Sequence, residues 1–143
     1  MVTIRIYRET DRRQVLALWR ECNLVRPKNN PKKDLDRKKG FGEELFLVLE
    51  EEEKVIGTVM GGYDGHRGII NYLGVHPSYR GQGFGKMLMR AVEKKLNDLG
   101  CPQVNLLVWA NNTEVLDFYE KFQYSKADDI VLLRKRLISD LRN

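Results

Sequence analysis

The chain has 143 residues and a net charge of +5, and 42% of its residues are hydrophobic and 31% charged. This length suits a single domain over residues 1–143 that buries roughly 70% of its unfolded surface. No apolar run approaches the ~18 residues of a membrane span, and residues 1–8 lack the apolar stretch of a signal peptide. Two cysteines, Cys22 and Cys101, are too few for a disulfide framework or a metal cluster. We therefore expect a cytoplasmic protein with free thiols, no metal and no membrane contact.

The first half of the chain reads as strands and short helices. Alternating apolar residues predict a strand at Thr3–Arg8. Asp11 and Gln14 have capping-box spacing for the helix that follows. A short helix is expected around Asp34–Lys38 inside a polar, basic segment. Two further strands, joined by an acidic turn, and a hairpin at Asp64–Gly65 lead into a fourth strand. These three strands are predicted at Leu45–Glu50, Lys54–Tyr63 and Ile69–Val75.

The second half predicts two helices and three strands. The longest helix runs from about Gly83 to Leu99, with five apolar residues facing inward: Phe84, Leu88, Val92, Leu96 and Leu99. The elements after it are a strand at Val104–Trp109, a helix at Asn112–Phe122, and strands at Tyr124–Lys126 and Ile130–Arg136. Strands and helices in this order indicate a mixed α/β sheet.

The segment from Leu73 to Lys86 carries the strongest functional signal. It joins an apolar strand to the long helix through alternating glycines, which leaves several backbone N–H groups without partners at the helix N-terminus. These donors and the helix dipole favour an anion, here a pyrophosphate. A Walker P-loop would need a glycine at Arg80 and Ser or Thr at Met87. A dinucleotide fingerprint would need a glycine at Lys86, so both motifs fail.

The remaining pattern, Arg-x-x-Gly-x-Gly from Arg80 to Gly85, resembles the acetyl-CoA pyrophosphate loop of the GCN5-related N-acetyltransferase (GNAT) superfamily. The order of elements is similar over nearly the whole chain. Residues 57–68 and 72–77 are also similar to the small bacterial YpeA-type acetyltransferases. The resemblance implies a mixed, mostly antiparallel twisted sheet of about six to seven strands flanked by about four helices. It also implies transfer of an acetyl group from acetyl-CoA to an amine.

The glycine segment supplies most of the residues expected to bind acetyl-CoA. Gly81, Gly83 and Gly85 let the backbone approach a diphosphate, although glycines also serve a tight turn. Side chains that can add polar contacts are Arg80, Gln82 and Lys86. The resemblance further implies that backbone groups of Leu73 and Val75 bind the thioester carbonyl and the pantetheine amides.

A second motif lies in the last main helix. Asn112 and Tyr119 are seven residues apart and so lie near one helix face. By resemblance, Asn112 contacts the pantetheine or phosphate arm. Tyr119 then points its hydroxyl at the CoA sulfur, where a phenol can protonate a departing thiolate. The alternative is a packed tyrosine with a satisfied hydroxyl.

No obvious general base accompanies this acid. Some GNAT proteins carry Glu in the strand before the glycine loop, where this chain has residues 69–72 without an acid. Others carry Glu where this chain has Leu107. Asp64, His66 or Tyr72 could act through water, but a turn, a solvated loop and a packed ring are structural alternatives for them.

The acceptor is an amine that the sequence does not identify, either a small molecule or a protein. By resemblance, Trp19, Asn23 and Arg26 border its site. The net positive charge suits a polyanionic ligand, but the basic residues are dispersed, and we expect no nucleic acid. The predicted strand at 130–136 is an apolar edge that could pair with another chain, and a homodimer is expected by family analogy only. The competing function is a non-catalytic module that binds or senses CoA or acyl-CoA.

Overall fold

The computed structural model describes residues 1–140. They form two compact units, residues 1–105 with Asp140 and residues 106–139. No helix in residues 1–140 is both long enough and apolar enough to cross a membrane. The first unit contains β1 (Val2–Ile6), α1 (Arg12–Glu21), α2 (Pro31–Lys38), β2 (Phe46–Glu51), β3 (Lys54–Tyr63), β4 (Gly68–Val75), α3 (Phe84–Asp98) and β5 (Val104–Asn105). The second unit contains α4 (Thr113–Glu120).

The five strands form one sheet in the order β1-β2-β3-β4-β5. Neighbouring strands are antiparallel except β4 and β5, which pair in parallel. The predicted mixed α/β fold with a mostly antiparallel sheet and four helices is therefore confirmed. The strand predicted at Lys54–Tyr63 has the observed bounds of β3.

The expected six to seven strands are too many. The strand predicted at Val104–Trp109 pairs with β4 only through Val104 and Asn105. The stretches 124–126 and 130–136 form no strand in the part of the chain that the structure describes. An apolar run such as 130–133 predicts burial, but strand formation also requires a paired neighbour, and these four residues are exposed. The predicted edge strand is therefore wrong, while the homodimer stays a prediction.

Side chains of β3 alternate between two helix layers. Thr58 and Met60 face α1, where Trp19 donates its indole N–H to Thr58 and Met60 joins the same apolar cluster. Gly57 and Gly61 face α3, and a Cβ added at Gly61 would lie 2.7 Å from Val92. Glycine is required there because α3 packs directly against the strand backbone.

The buried face of α3 follows the predicted helical period closely. Leu88, Val92 and Leu96 are buried as predicted, together with Met89. Leu99 is 49% exposed, which corrects its predicted inward position. Leu99 is the C-cap of the helix, one residue beyond its end at Asp98.

The start of α1 differs from the predicted capping box. The Asp11 carboxylate accepts hydrogen bonds from the backbone N–H of Arg8 and from the Arg5 guanidinium. Gln14 instead accepts a bond from the N–H of Val55 in β3. Burial would raise the pKa of Asp11, but the bonds from Arg5 and Arg8 outweigh it and hold the pKa below its usual value. Asp11 therefore joins β1 to the start of α1.

Candidate active site

A bulge interrupts β4 just before the segment that leads to the glycines. The register with β3 pairs Thr58 with Gly74 but Met60 with Asn71, so the bulge contains Tyr72 and Leu73. Tyr72 has φ +51°, a left-handed conformation that is uncommon for a residue with a side chain. The Thr58 hydroxyl donates to the Tyr72 carbonyl at 2.8 Å and so holds the bulge in place. The bulge sets the orientation of the backbone at Leu73.

Beyond the bulge, the Val75 carbonyl already has two donors. Arg80 Nε lies 3.1 Å from it and Cys22 Sγ lies 3.4 Å from it. The Arg80 side chain therefore folds back onto the end of β4. Burial raises the pKa of the Cys22 thiol, and the nearby Arg80 partly opposes this shift. A pantetheine amide that bonded the Val75 carbonyl would replace one of these donors.

The α1–α2 connection begins directly against β4 at Gly74. A Cβ at Gly74 would lie 2.9 Å from Leu24 Cδ1 and 3.2 Å from Cys22 Sγ. Glycine thus permits a close approach between the end of α1 and the strand. The connection predicted to border the acceptor therefore starts beside the β4 bulge.

The glycine loop is open to ligands. After a short 3-10 turn at Pro77–Tyr79, Gly81 and Gly83 adopt φ of +79° and +82°. Both are exposed, and a Cβ at either position would meet nothing within 4 Å. Their conformation, rather than crowding, is what favours glycine here. Gln82 between them is also exposed and available for a polar contact.

The N-terminus of α3 offers donors to an anion. Gly83 is the N-cap and has no side chain to cap the helix, and the first intrahelical bond runs from Met87 N–H to the Gly83 carbonyl at 3.1 Å. The N–H groups of Phe84, Gly85 and Lys86 therefore precede the intrahelical ladder. Lys86 is exposed and adds a positive charge. These groups fit the diphosphate of CoA, which needs several donors in an exposed loop.

The second unit holds the two remaining predicted residues. Asn112 is the N-cap of α4, and its Oδ1 accepts a bond from Val115 N–H at 3.4 Å. Tyr119 lies near the end of α4, and its ring makes edge contacts with Phe118 and Tyr124. Burial raises the pKa of Tyr119 to about 12. Its hydroxyl is therefore protonated at neutral pH, as a general acid must be.

The two loop candidates for a base have structural roles. Asp64 accepts bonds from the N–H groups of His66 and Arg67 and so closes the β3–β4 turn. These backbone hydrogen bonds, of which the one from Arg67 has the largest effect, hold the pKa of Asp64 below its usual value. His66 belongs to the same exposed turn.

The side chain of Tyr72 is fixed by a stacked ring and two hydrogen bonds. Its ring stacks on Trp19 with the ring centroids 3.7 Å apart, and Trp19 is fully buried, which makes it a core residue. The Tyr72 hydroxyl accepts from Asn29 Nδ2 at 2.7 Å and donates to Asp34 Oδ2 at 2.5 Å. Burial is the main cause that raises the pKa of Tyr72, and the hydrogen bond to Asp34 raises it further. A neutral, bonded phenol is a poor base.

Sequence reasoning missed a role for Asn29 and Asp34 because it described their segment only as polar and basic, with a short helix inside it. The structure places Asp34 on α2 against the β4 bulge, through Tyr72. The signal in the sequence was Asn30 before Pro31, an N-cap and N1 pair that starts α2 earlier than predicted. Several of the basic residues are used within the fold. Arg37 pairs with Asp140, and Lys38 donates to the Gly61 carbonyl.

Comparison with known proteins identifies the family. The Acetyltransferase (GNAT) family profile matches residues 12–124. An acetyltransferase of Sodalis glossinidius is 49% identical over 137 residues, which cover 96% of both chains. Among solved structures, the ribosomal-protein-S18-alanine N-acetyltransferase of Escherichia coli superposes with a TM-score of 0.76 at 20% identity, covering 89% of this chain and 79% of that one. AAC(6′)-Iy, bound to a bisubstrate analogue, gives 0.75 at 17% identity, covering 95% and 99%.

The chain therefore belongs to the GNAT family of acetyltransferases. It is an N-acetyltransferase that depends on acetyl-CoA, and the family's reaction moves an acetyl group to an amine acceptor. The two structures confirm the fold.

Proposed function

We propose that this protein acetylates a primary amine by direct attack on acetyl-CoA in a ternary complex, and that residues 1–143 act as one domain. The single observation that carries the proposal is the open loop at Gly81 and Gly83, followed by the uncapped N-terminus of α3. Acetyl-CoA supplies the thioester. The loop, with Arg80, Gln82, Gly85 and Lys86, binds its diphosphate through backbone N–H groups and side chains.

The first unit then orients the thioester. The Leu73 N–H in the bulge donates to the carbonyl oxygen and stabilises the negative charge that develops on it. Val75 bonds the pantetheine arm. The bulge is held by Thr58, so the Leu73 N–H and the Val75 carbonyl are oriented before the ligand binds. Removing such a donor in other enzymes slows catalysis by about 10²–10³.

The second unit supplies the acid. Tyr119 gives its hydroxyl proton to the sulfur of the departing CoA, and Asn112 contacts the pantetheine or phosphate arm. A tyrosine hydroxyl carries its proton throughout the neutral range, and burial, which raises the pKa of Tyr119 to about 12, keeps the proton there. The nitrogen releases its proton to water in this proposal, and residues 69–72 of β4 carry no carboxylate that could take it directly.

The test is amine-dependent thiol release from acetyl-CoA, measured with a panel of primary amines. We expect release that requires both the amine and acetyl-CoA, together with thermal stabilisation of the protein by CoA. Stabilisation by CoA without release from any amine would overturn the enzyme proposal and favour a CoA-sensing module. A competing nucleic-acid function would instead show binding that weakens steeply with salt.

A further inference from the structure

A carboxylate on α2, that of Asp34, contacts the β4 bulge and has no part in the reaction as described above. Asp34 reaches the bulge from α2 because its Oδ2 accepts the Tyr72 hydroxyl at 2.5 Å. Tyr72 directly precedes Leu73, the residue proposed to hold the thioester carbonyl. Asn29 from the α1–α2 connection donates to the same hydroxyl at 2.7 Å. Tyr72 thus links β4 to the α1–α2 connection, which is predicted to border the acceptor.

Asp34 retains the capacity to bind a cation. Among residues 1–140, its Oδ1 has only Arg37 nearby, at 3.7 Å, a long contact for an ion pair. The Arg37 guanidinium is already committed to Asp140 through two bonds of 2.7 and 2.8 Å. The Asp34 side chain is 29% exposed, so a ligand can reach it. A carboxylate only accepts hydrogen bonds, and its strongest partners are cationic donors.

Asp34 contacts the far end of the Tyr72 side chain and not the backbone of the bulge. The attacking nitrogen must approach the thioester carbon to about 3–3.5 Å, beside the backbone of Leu73. Asp34 lies beyond the hydroxyl of Tyr72, a whole tyrosine side chain away from that backbone. A positive group bound by Asp34 is therefore a second one, separated from the reacting amine by a short chain.

We propose that Asp34, held by Tyr72, determines acceptor specificity by binding a second cationic group of the acceptor. The acceptor is then a diamine or polyamine, or a peptide whose amino terminus is followed by a basic side chain. This inference rests on the proposed function, because the acceptor must lie beside the thioester. A charge-assisted hydrogen bond of this kind changes affinity by about 10- to 100-fold.

The experiment compares amines that differ in the second charge alone. The first pair is cadaverine and pentylamine, and the second is a short peptide amide with Lys or norleucine after its amino-terminal residue. We expect the wild type to prefer the charged member of one pair by about 10- to 100-fold in kcat/KM. The pair that shows the preference identifies the source of the charge.

Asp34→Asn should reduce this preference to about one, through KM for the amine, and leave KM for acetyl-CoA unchanged. The matched control is Asp36→Asn on the same helix, since Asp36 pairs with Arg12 and not with Tyr72. Tyr72→Phe keeps the ring on Trp19 but removes the hydroxyl, and should weaken the preference in part. A wild type without preference in either pair, or equal effects of the two Asp variants, would refute the inference.

A readout without turnover separates this inference from the proposed function. Thermal unfolding of the CoA-bound protein is followed with cadaverine and with pentylamine. Stronger stabilisation by cadaverine, lost in Asp34→Asn and kept in Asp36→Asn, supports the inference even if no thiol is released. Equal stabilisation by both amines refutes it, and equal stabilisation together with normal turnover leaves the proposed function intact.

Discussion

Replacing Thr58 with Val should destabilise the fold markedly although the shape of the side chain barely changes. Thr58 is fully buried, and its hydroxyl accepts the indole N–H of Trp19 at 2.9 Å while donating to the Tyr72 carbonyl at 2.8 Å. Thr58→Val removes this hydroxyl and so takes a hydrogen-bond partner from the Trp19 indole N–H and from the Tyr72 carbonyl. Each buried unsatisfied group costs about 1–3 kcal/mol, so we expect a loss of about 2–6 kcal/mol in the free energy of unfolding.

Urea denaturation followed by circular dichroism measures this loss. With a slope of about 2 kcal/mol per molar urea, the midpoint should fall by about 1–3 M. The matched control is Thr3→Val in β1, because Thr3 is exposed and such changes stay within about 0.5 kcal/mol. If Thr58→Val shifted the midpoint no more than Thr3→Val, the proposed hydrogen-bonded support of the bulge would be wrong.

Three further predictions concern the loop, the acid and the β1–α1 junction. Gly83→Ala and Gly100→Ala each place a Cβ in open space at a positive φ, +82° and +85°, so each variant should lose about 1–2 kcal/mol of stability. Only Gly83→Ala should also weaken the binding of CoA measured by calorimetry, and Gly100→Ala is its control. Tyr119→Phe should lower kcat by about 10²–10⁴ and leave KM for acetyl-CoA unchanged, and an unchanged kcat would show that Tyr119 is not the acid. In the wild type, ionisation of Tyr119 should not lower the rate until the pH nears its pKa of about 12. Asp11→Asn should cost about 1–3 kcal/mol near neutral pH. Because the pKa of Asp11 is lowered in the fold, this difference should begin to shrink as the pH falls below about 4 and should be lost only below the lowered pKa of the folded state, as urea denaturation at a series of acidic pH values can measure. A difference that did not shrink in acid would contradict the Arg5 pairing.

Local patterns predicted β2, β3 and β4 well because short turns connect these three strands. The bounds of β3 and the buried residues Leu88, Val92 and Leu96 follow from period and turn residues alone. The glycine loop was also predictable, since its conformation depends on the glycines themselves.

Contacts between distant residues could not be predicted in this way. Asp34 and Tyr72 are 38 positions apart, and nothing in the periodicity of either segment links them. The strand predicted at 130–136 failed for the same reason, because strand pairing depends on a neighbour that the local pattern does not specify. Thr58, which supports the bulge, resembled any other polar residue within a strand.

The most direct test of acetyl transfer is mass spectrometry after mixing the protein with isotopically labelled acetyl-CoA, first without and then with an amine acceptor. Direct attack predicts no label on the protein in the first sample, and in the second an acetylated amine formed in equal amount to the released thiol. Label on the protein that disappears when the amine is added, for example on Cys22, would contradict direct transfer. Thiol released without acetylated amine would contradict acetylation of the acceptor.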